Sequence, residues 1–120
     1  MFFLLLTTQI FGQNIQRRAS LGLNPSPVSD EIAKENGLEK PKGIYVNVVH
    51  PNSTCESIGV QNNDIILKIN RQETNSFPEL VAARDAIRGG SEITFTIWRG
   101  GKEIQLKGIA KSVPKETSNS

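Results

Sequence analysis

Between Ser20 and Ala110 the apolar positions fall into short blocks set apart by glycine, proline and asparagine. Ser20–Asn24 is a short strand candidate. Ser29 is placed to cap a helix whose first turn carries Asp30 and Glu31, where acids meet the positive end of the peptide dipoles. Ile32, Ala33 and Leu38 supply its apolar side, and Gly37 is placed to end it. The run from Gly43 to Val49, GIYVNVV, is rich in β-branched residues and predicts a strand broken by Pro51-Asn52. Ser53 and Glu56 have capping-box spacing, so a helix of one to two turns is expected there, closed by Gly59. Asn62, Asn63 and Asp64 predict a turn, Ile65–Ile69 a strand, and Asn70-Arg71 a tight turn.

The segment NSFPELVAARDAIRGG carries the clearest helical period. Ser76 and Glu79 form a second capping box, Pro78 sits in the tolerant first turn, and Gly89-Gly90 predicts the stop. At 100° per residue, Leu80, Ala83 and Ile87 cluster as the core face, with Phe77, Val81, Arg84 and Arg88 as a neighbouring stripe. The end of the pattern is a hairpin. Ile93, Phe95 and Ile97 alternate on one face, Gly100-Gly101 turns, and Ile104 and Leu106 answer from the return strand. Five or six strands with one long and one or two short helices predict a β-rich α+β domain, a partly open barrel or sandwich.

Composition narrows the chemistry. The 120 residues suffice for one compact domain with tails, and the net charge is only +2. Arg17-Arg18 is the one adjacent basic pair, so nucleic acid is not expected as a partner. Cys55 is the only cysteine and His50 the only histidine. No internal disulfide can form, no metal-ligand cluster is visible, and no cofactor is expected. Residues 1–16 include the apolar run Phe2–Leu6, too short to span a bilayer and similar to a secretory signal segment, although no Lys or Arg follows Met1. An exported location, periplasmic or secreted, is the expectation, with a sticky N-terminal strand as the alternative. Residues 17–110 form the expected domain and 111–120 a polar linker or tail.

Nothing in the sequence assembles a catalytic group. His50 reads as a strand-end surface residue, Cys55 as a small buried hydrophobe, Asp64 as a turn cap, and Asp30-Glu31 as helix-start acids. The segment RGGK lies in the hairpin rather than between a strand and a helix, so it is not a phosphate loop. The chain itself is not expected to be an enzyme.

The ordered series HPNSTCESIGVQNNDIILKINRQETNSFPELVAARDAI resembles the central part of a PDZ domain. Pro51, Ser53, Gly59, Asp64, Ile65, Ile66, Ile69 and Asn70 carry the likeness. Asn63 stands where glycine is usual, and so does Arg71. Because Leu21-Gly22-Leu23 comes first and the RGGKEIQLKGIA strand last, the order is similar to the circularly permuted bacterial PDZ domains of HtrA-type proteases. The resemblance implies a module that binds the C-terminal end, or an extended segment, of a partner protein by adding it as a strand to an open edge. It places the carboxylate on the amides of Leu21, Gly22 and Leu23, walls the pocket with Leu21 and Leu23, and sets Leu80, Val81 and Arg84 opposite. Arg18 or Arg17 would add a cation, or else belong to a solvated tail. It also implies a covalently linked catalytic domain as an alternative setting: an exported serine hydrolase or protease in which this domain is a spacer or docking surface.

Pro25 and Pro27 complicate that picture. Alternate residues of a strand address the same edge, so if Leu23 faces an incoming peptide, both prolines do too, and neither can donate. The edge is therefore expected either to read only the last one or two residues of a peptide, or to be protected from pairing.

Overall fold

The computed structural model describes residues 21–112. Nine elements follow one another: β1 (Leu23–Pro27), α1 (Asp30–Glu35), β2 (Ile44–Val49), α2 (Thr54–Ile58), β3 (Ile65–Ile69), β4 (Gln72–Glu73), α3 (Phe77–Asp85), β5 (Glu92–Arg99) and β6 (Lys102–Ile109). The strands form one antiparallel sheet in the order β1-β2-β3-β5-β6, with β4 paired to β3. This is the expected β-rich α+β architecture. The expected signal-like segment at residues 1–16, the tail beyond residue 112, and Arg17 and Arg18 lie outside the described residues.

The cap readings translate directly into bonds. Ser29, Ser53 and Ser76 each accept from the amide three residues on. The two acids of the capping boxes reach one residue further back than the box geometry requires. Glu56 accepts from the Asn52 amide and Glu79 from the Asn75 amide, both at 2.7 Å. Asn52, Asn63 and Asn70 all take positive φ, the conformation a short amide side chain tolerates best outside glycine. Arg71 does not, so the turn's left-handed position is carried by Asn70 alone and the unusual arginine is accommodated.

Two boundaries move. The first strand starts at Leu23 rather than Ser20 and runs to Pro27, because Gly22 at φ 76 bends the chain just before it and an edge strand tolerates proline. The long helix ends at Asp85, ahead of Gly89-Gly90. The Arg88 guanidinium takes the freed Asp85 carbonyl at 2.6 Å, and the Ile87 amide bonds Arg84 O in a tightened last turn.

The sheet buries apolar residues on both faces. The larger cluster joins Ile44, Val46, Ile66, Ile69, Ile93, Phe95 and Ile97 to Leu80, Ala83 and Ile87 of α3. A second packs Val28, Ala33 and Leu38 against Ile65 and Leu67, with Trp98 donating to Asn36 O at 2.6 Å. Each fully buried Ile or Phe stabilises the fold by about 1.5–3 kcal/mol. Among the described residues no helix is long and apolar enough to cross a membrane.

Candidate functional site

The free edge of β1 is organised by the bend before it. Gly22 has φ 76, and a Cβ there would run into Ser53 Cβ and sit 2.8 Å from Ser53 Oγ. Only glycine fits. From behind, the bend is pinned through its carbonyls: Leu21 O accepts from the Cys55 amide at 3.0 Å and Gly22 O from the His50 amide at 2.9 Å. Ser53 is itself held, donating to His50 O and accepting from the Glu56 amide. Both carbonyls therefore point into the domain, which turns the amides across those two peptide bonds, those of Gly22 and Leu23, the other way; the amides of Leu21 and Gly22 donate to no described residue. That is the polarity an anion-binding backbone nest requires.

The orientation of β1 follows from the same bonds. Gly22 turns its carbonyl to β2, so the peptide groups of Leu23, Pro25 and Pro27 face the open side. The pairing irregularity between Asn24 and Pro25 places the extra residue, Asn47, on β2 and leaves the alternation of β1 intact. Asn47 Nδ2 spans that irregularity, donating to Asn24 O and Ser26 Oγ. His50 Nε2 and Asn24 Oδ1 lie 2.7 Å apart and tie the two strands at the surface, where the sequence puts this histidine.

The residues named from the sequence are brought together unevenly. Leu21 and Leu80 are buried at 6% and 8% exposure in one cluster, with Leu23 packed against it, so β1 and α3 share an apolar floor. Val81 stands out at 42% exposure and Phe77, one turn earlier, at 44%, forming an apolar rim on α3. Arg84 is half-buried and engaged, with Nε and Nη2 both donating to Asp85 Oδ1.

What the sequence reading missed is the support. Ser53 was legible as a cap but not as the wall behind Gly22. Asp64 was legible as a turn cap, and it does accept from the Gln61 amide, but its side chain is only 2% exposed and also receives Arg99 Nε at 2.8 Å and Nη2 at 2.7 Å. Nη2 also reaches Gly59 O, tying α2 to β5. The hydrogen bond to Asp64 raises the Arg99 pKa further above its ordinary value.

Cys55, directly behind the bend, is fully buried. Burial, with the Asp64 charge adding to it, pushes its thiol up to about 12 from 9.0. The native thiol is therefore protonated and inert. At pH 8 alkylation should proceed only through unfolding, its rate rising in step with added urea. Because the folded pKa exceeds the unfolded one, the thiol favours the fold fully below pH 9.0 and loses that contribution as pH rises toward about 12. Fast alkylation in native buffer would contradict the burial.

A family model described as PDZ domain matches residues 19–107. This chain belongs to the PDZ domain family. Over 101 residues it is 29% identical to the periplasmic serine endoprotease DegP of Escherichia coli (strain K12), covering 84% of this chain and 21% of that protein. It is 34% identical over 97 residues to a probable periplasmic serine protease do/HhoA-like of Haemophilus influenzae, covering 81% and 20% respectively. The PDZ chain thus spans about a fifth of these relatives. Two solved structures share the fold. The HtrA-type protease AlgW with decapeptide superposes with a TM-score of 0.74 at 24% identity, over 92% of this chain and 34% of that one. The HtrA3 PDZ domain bound to the phage-derived ligand FGRWV gives 0.67 at 24% identity, over 86% and 94%.

Proposed function

We propose that this PDZ domain binds the C-terminal carboxylate of partner proteins at the Leu21–Leu23 bend, taking the last one or two residues onto the edge of β1 opposite α3. The observation that carries the reading is the Gly22 bend, whose carbonyls are tied inward while its amides donate to no described residue. Leu21 and Leu23, with Leu80, Val81 and Arg84 opposite, wall the pocket for the terminal side chain, and Arg18, outside the described residues, is proposed as a further cation. Beyond that point the edge offers carbonyls but no donors at Pro25 and Pro27, so each successive peptide carbonyl forgoes a bond worth about 1 kcal/mol net. The module is non-catalytic and serves substrate docking or regulation in an exported protein. The periplasmic proteases among its relatives support that setting, and they equally support a second reading, in which the domain is a spacer or docking part of a larger exported serine protease.

Titration with short C-terminal peptides and their amidated forms tests this directly. The free acids should bind about tenfold or more tighter than the amides, since charge-assisted bonds contribute about 1.5–3 kcal/mol. Lengthening the peptide beyond its last two residues should add little. Equal affinity of acid and amide would remove the carboxylate nest.

A further inference from the structure

A second concavity lies away from this groove and shares no lining residue with it. It has a volume of about 1000 Å³ and opens over β3, β5 and β6. Lys40 and Lys42 enter it from the connection before β2, Lys68 from β3, and Arg71 from the β3–β4 turn. None of these four cations has an ion-pair partner among the described residues. Leaving several cations unpaired around one hollow costs self-repulsion that a ligand of opposite charge relieves.

The interior of the hollow also offers unspent hydrogen-bonding capacity. Thr96 lines it, yet the residue is only 5% exposed. Its hydroxyl has no partner among the described residues, and the oxygen is not sealed in, because no buried side-chain oxygen there is unsatisfied. A buried threonine on a sheet face ordinarily bonds a neighbouring chain, as Thr74 does to Ile66 O at 2.8 Å. The Thr96 hydroxyl is open to whatever fills the hollow, water included.

Charge pattern identifies the occupant. Glu73 and Glu103 also line the hollow, so its positive charge is interrupted. A uniform polyanion would meet both carboxylates, and a single small anion would leave Glu73 and Glu103 without a donor to face. An extended chain with acidic side chains separated by neutral residues places negative charge at the cations and amide groups at the carboxylates and Thr96. We infer that this hollow docks an extended peptide segment carrying spaced acidic residues, independently of the C-terminal groove.

The probe is a peptide of alternating glutamate and glycine, capped at both ends so that it presents no terminal carboxylate. It is titrated onto the full chain at low salt and followed by backbone NMR. Saturable binding is expected, with the largest shifts at Lys68 and Thr96, weakening as salt rises. The exposed double charge reversal Lys40→Glu/Arg71→Glu should weaken it roughly tenfold while leaving the fold intact by circular dichroism. Absence of saturation, equal binding of the glutamine–glycine analogue, insensitivity to the charge reversal, or shifts centred on β1 would each overturn the proposal. Complete displacement by inorganic phosphate at matched ionic strength would overturn the peptide assignment in favour of a simple anion site.

Discussion

Replacing Arg99 with methionine is expected to destabilise the domain by about 3–5 kcal/mol, whereas replacing Asp64 with asparagine costs less, about 2 kcal/mol. The asymmetry comes from what each change strands. Asp64 is 2% exposed in its side chain, between the turn at Gln61 and the start of β3, and Arg99 supplies two of its bonds at 2.8 and 2.7 Å. Without the guanidinium a buried carboxylate keeps only the Gln61 amide, and it cannot reach water without opening the turn. Arg99 is 30% exposed in its side chain, so once Asp64 becomes asparagine the arginine rehydrates and retains its bond to Gly59 O. Urea unfolding near neutral pH, followed through the fluorescence of the adjacent Trp98, measures both losses. Equal costs, or a larger cost for the asparagine variant, would show that the pair is not governed by which partner water can reach.

The second large effect falls on the groove. Gly22→Ala combines two penalties. At φ 76 an L side chain is strained by about 1–2 kcal/mol, and the added methyl overlaps the Cβ of a serine that is 6% exposed and bonded at both ends. The cheapest relaxation moves the bend, and with it the amides that donate to no described residue, so C-terminal peptide binding should fall below detection while the sheet still forms. Gly90→Ala is the matched control. Gly90 has φ 90 with nothing within 4 Å of the added methyl, so that variant carries strain alone and should bind peptides as the parent does. Parent-like affinity in Gly22→Ala would mean that the carboxylate is held elsewhere.

Local signals made most of the framework readable. Three serine caps, Asn63 and Asn70 suited to positive φ, and the alternation of Ile93, Phe95 and Ile97 each need only a few neighbouring residues to take effect. They were visible in the sequence for that reason. The site was half legible. Gly22 and the two prolines could be marked as unusual, but no local rule states which edge of β1 they address. That answer rests on the bond from the His50 amide to Gly22 O, across 28 residues of chain. The helix end shows the same limit, since a glycine pair permits a stop but the Arg88 guanidinium decides it earlier.

By itself, then, the sequence determined the strands and helices apart from the two-residue β4, where most of them begin, and the order that makes this chain a PDZ domain. These follow from side-chain periodicity and from backbone preferences that act over one or two turns. Only the tertiary structure decided that Gly22 is backed by Ser53, that Asp64 and Arg99 close on each other across 35 residues, and that Lys40, Lys42, Lys68 and Arg71, without an ion-pair partner among the described residues, line one hollow together with Thr96. Contacts between distant segments depend on how the sheet twists and packs as a whole, and no short stretch of residues encodes that geometry.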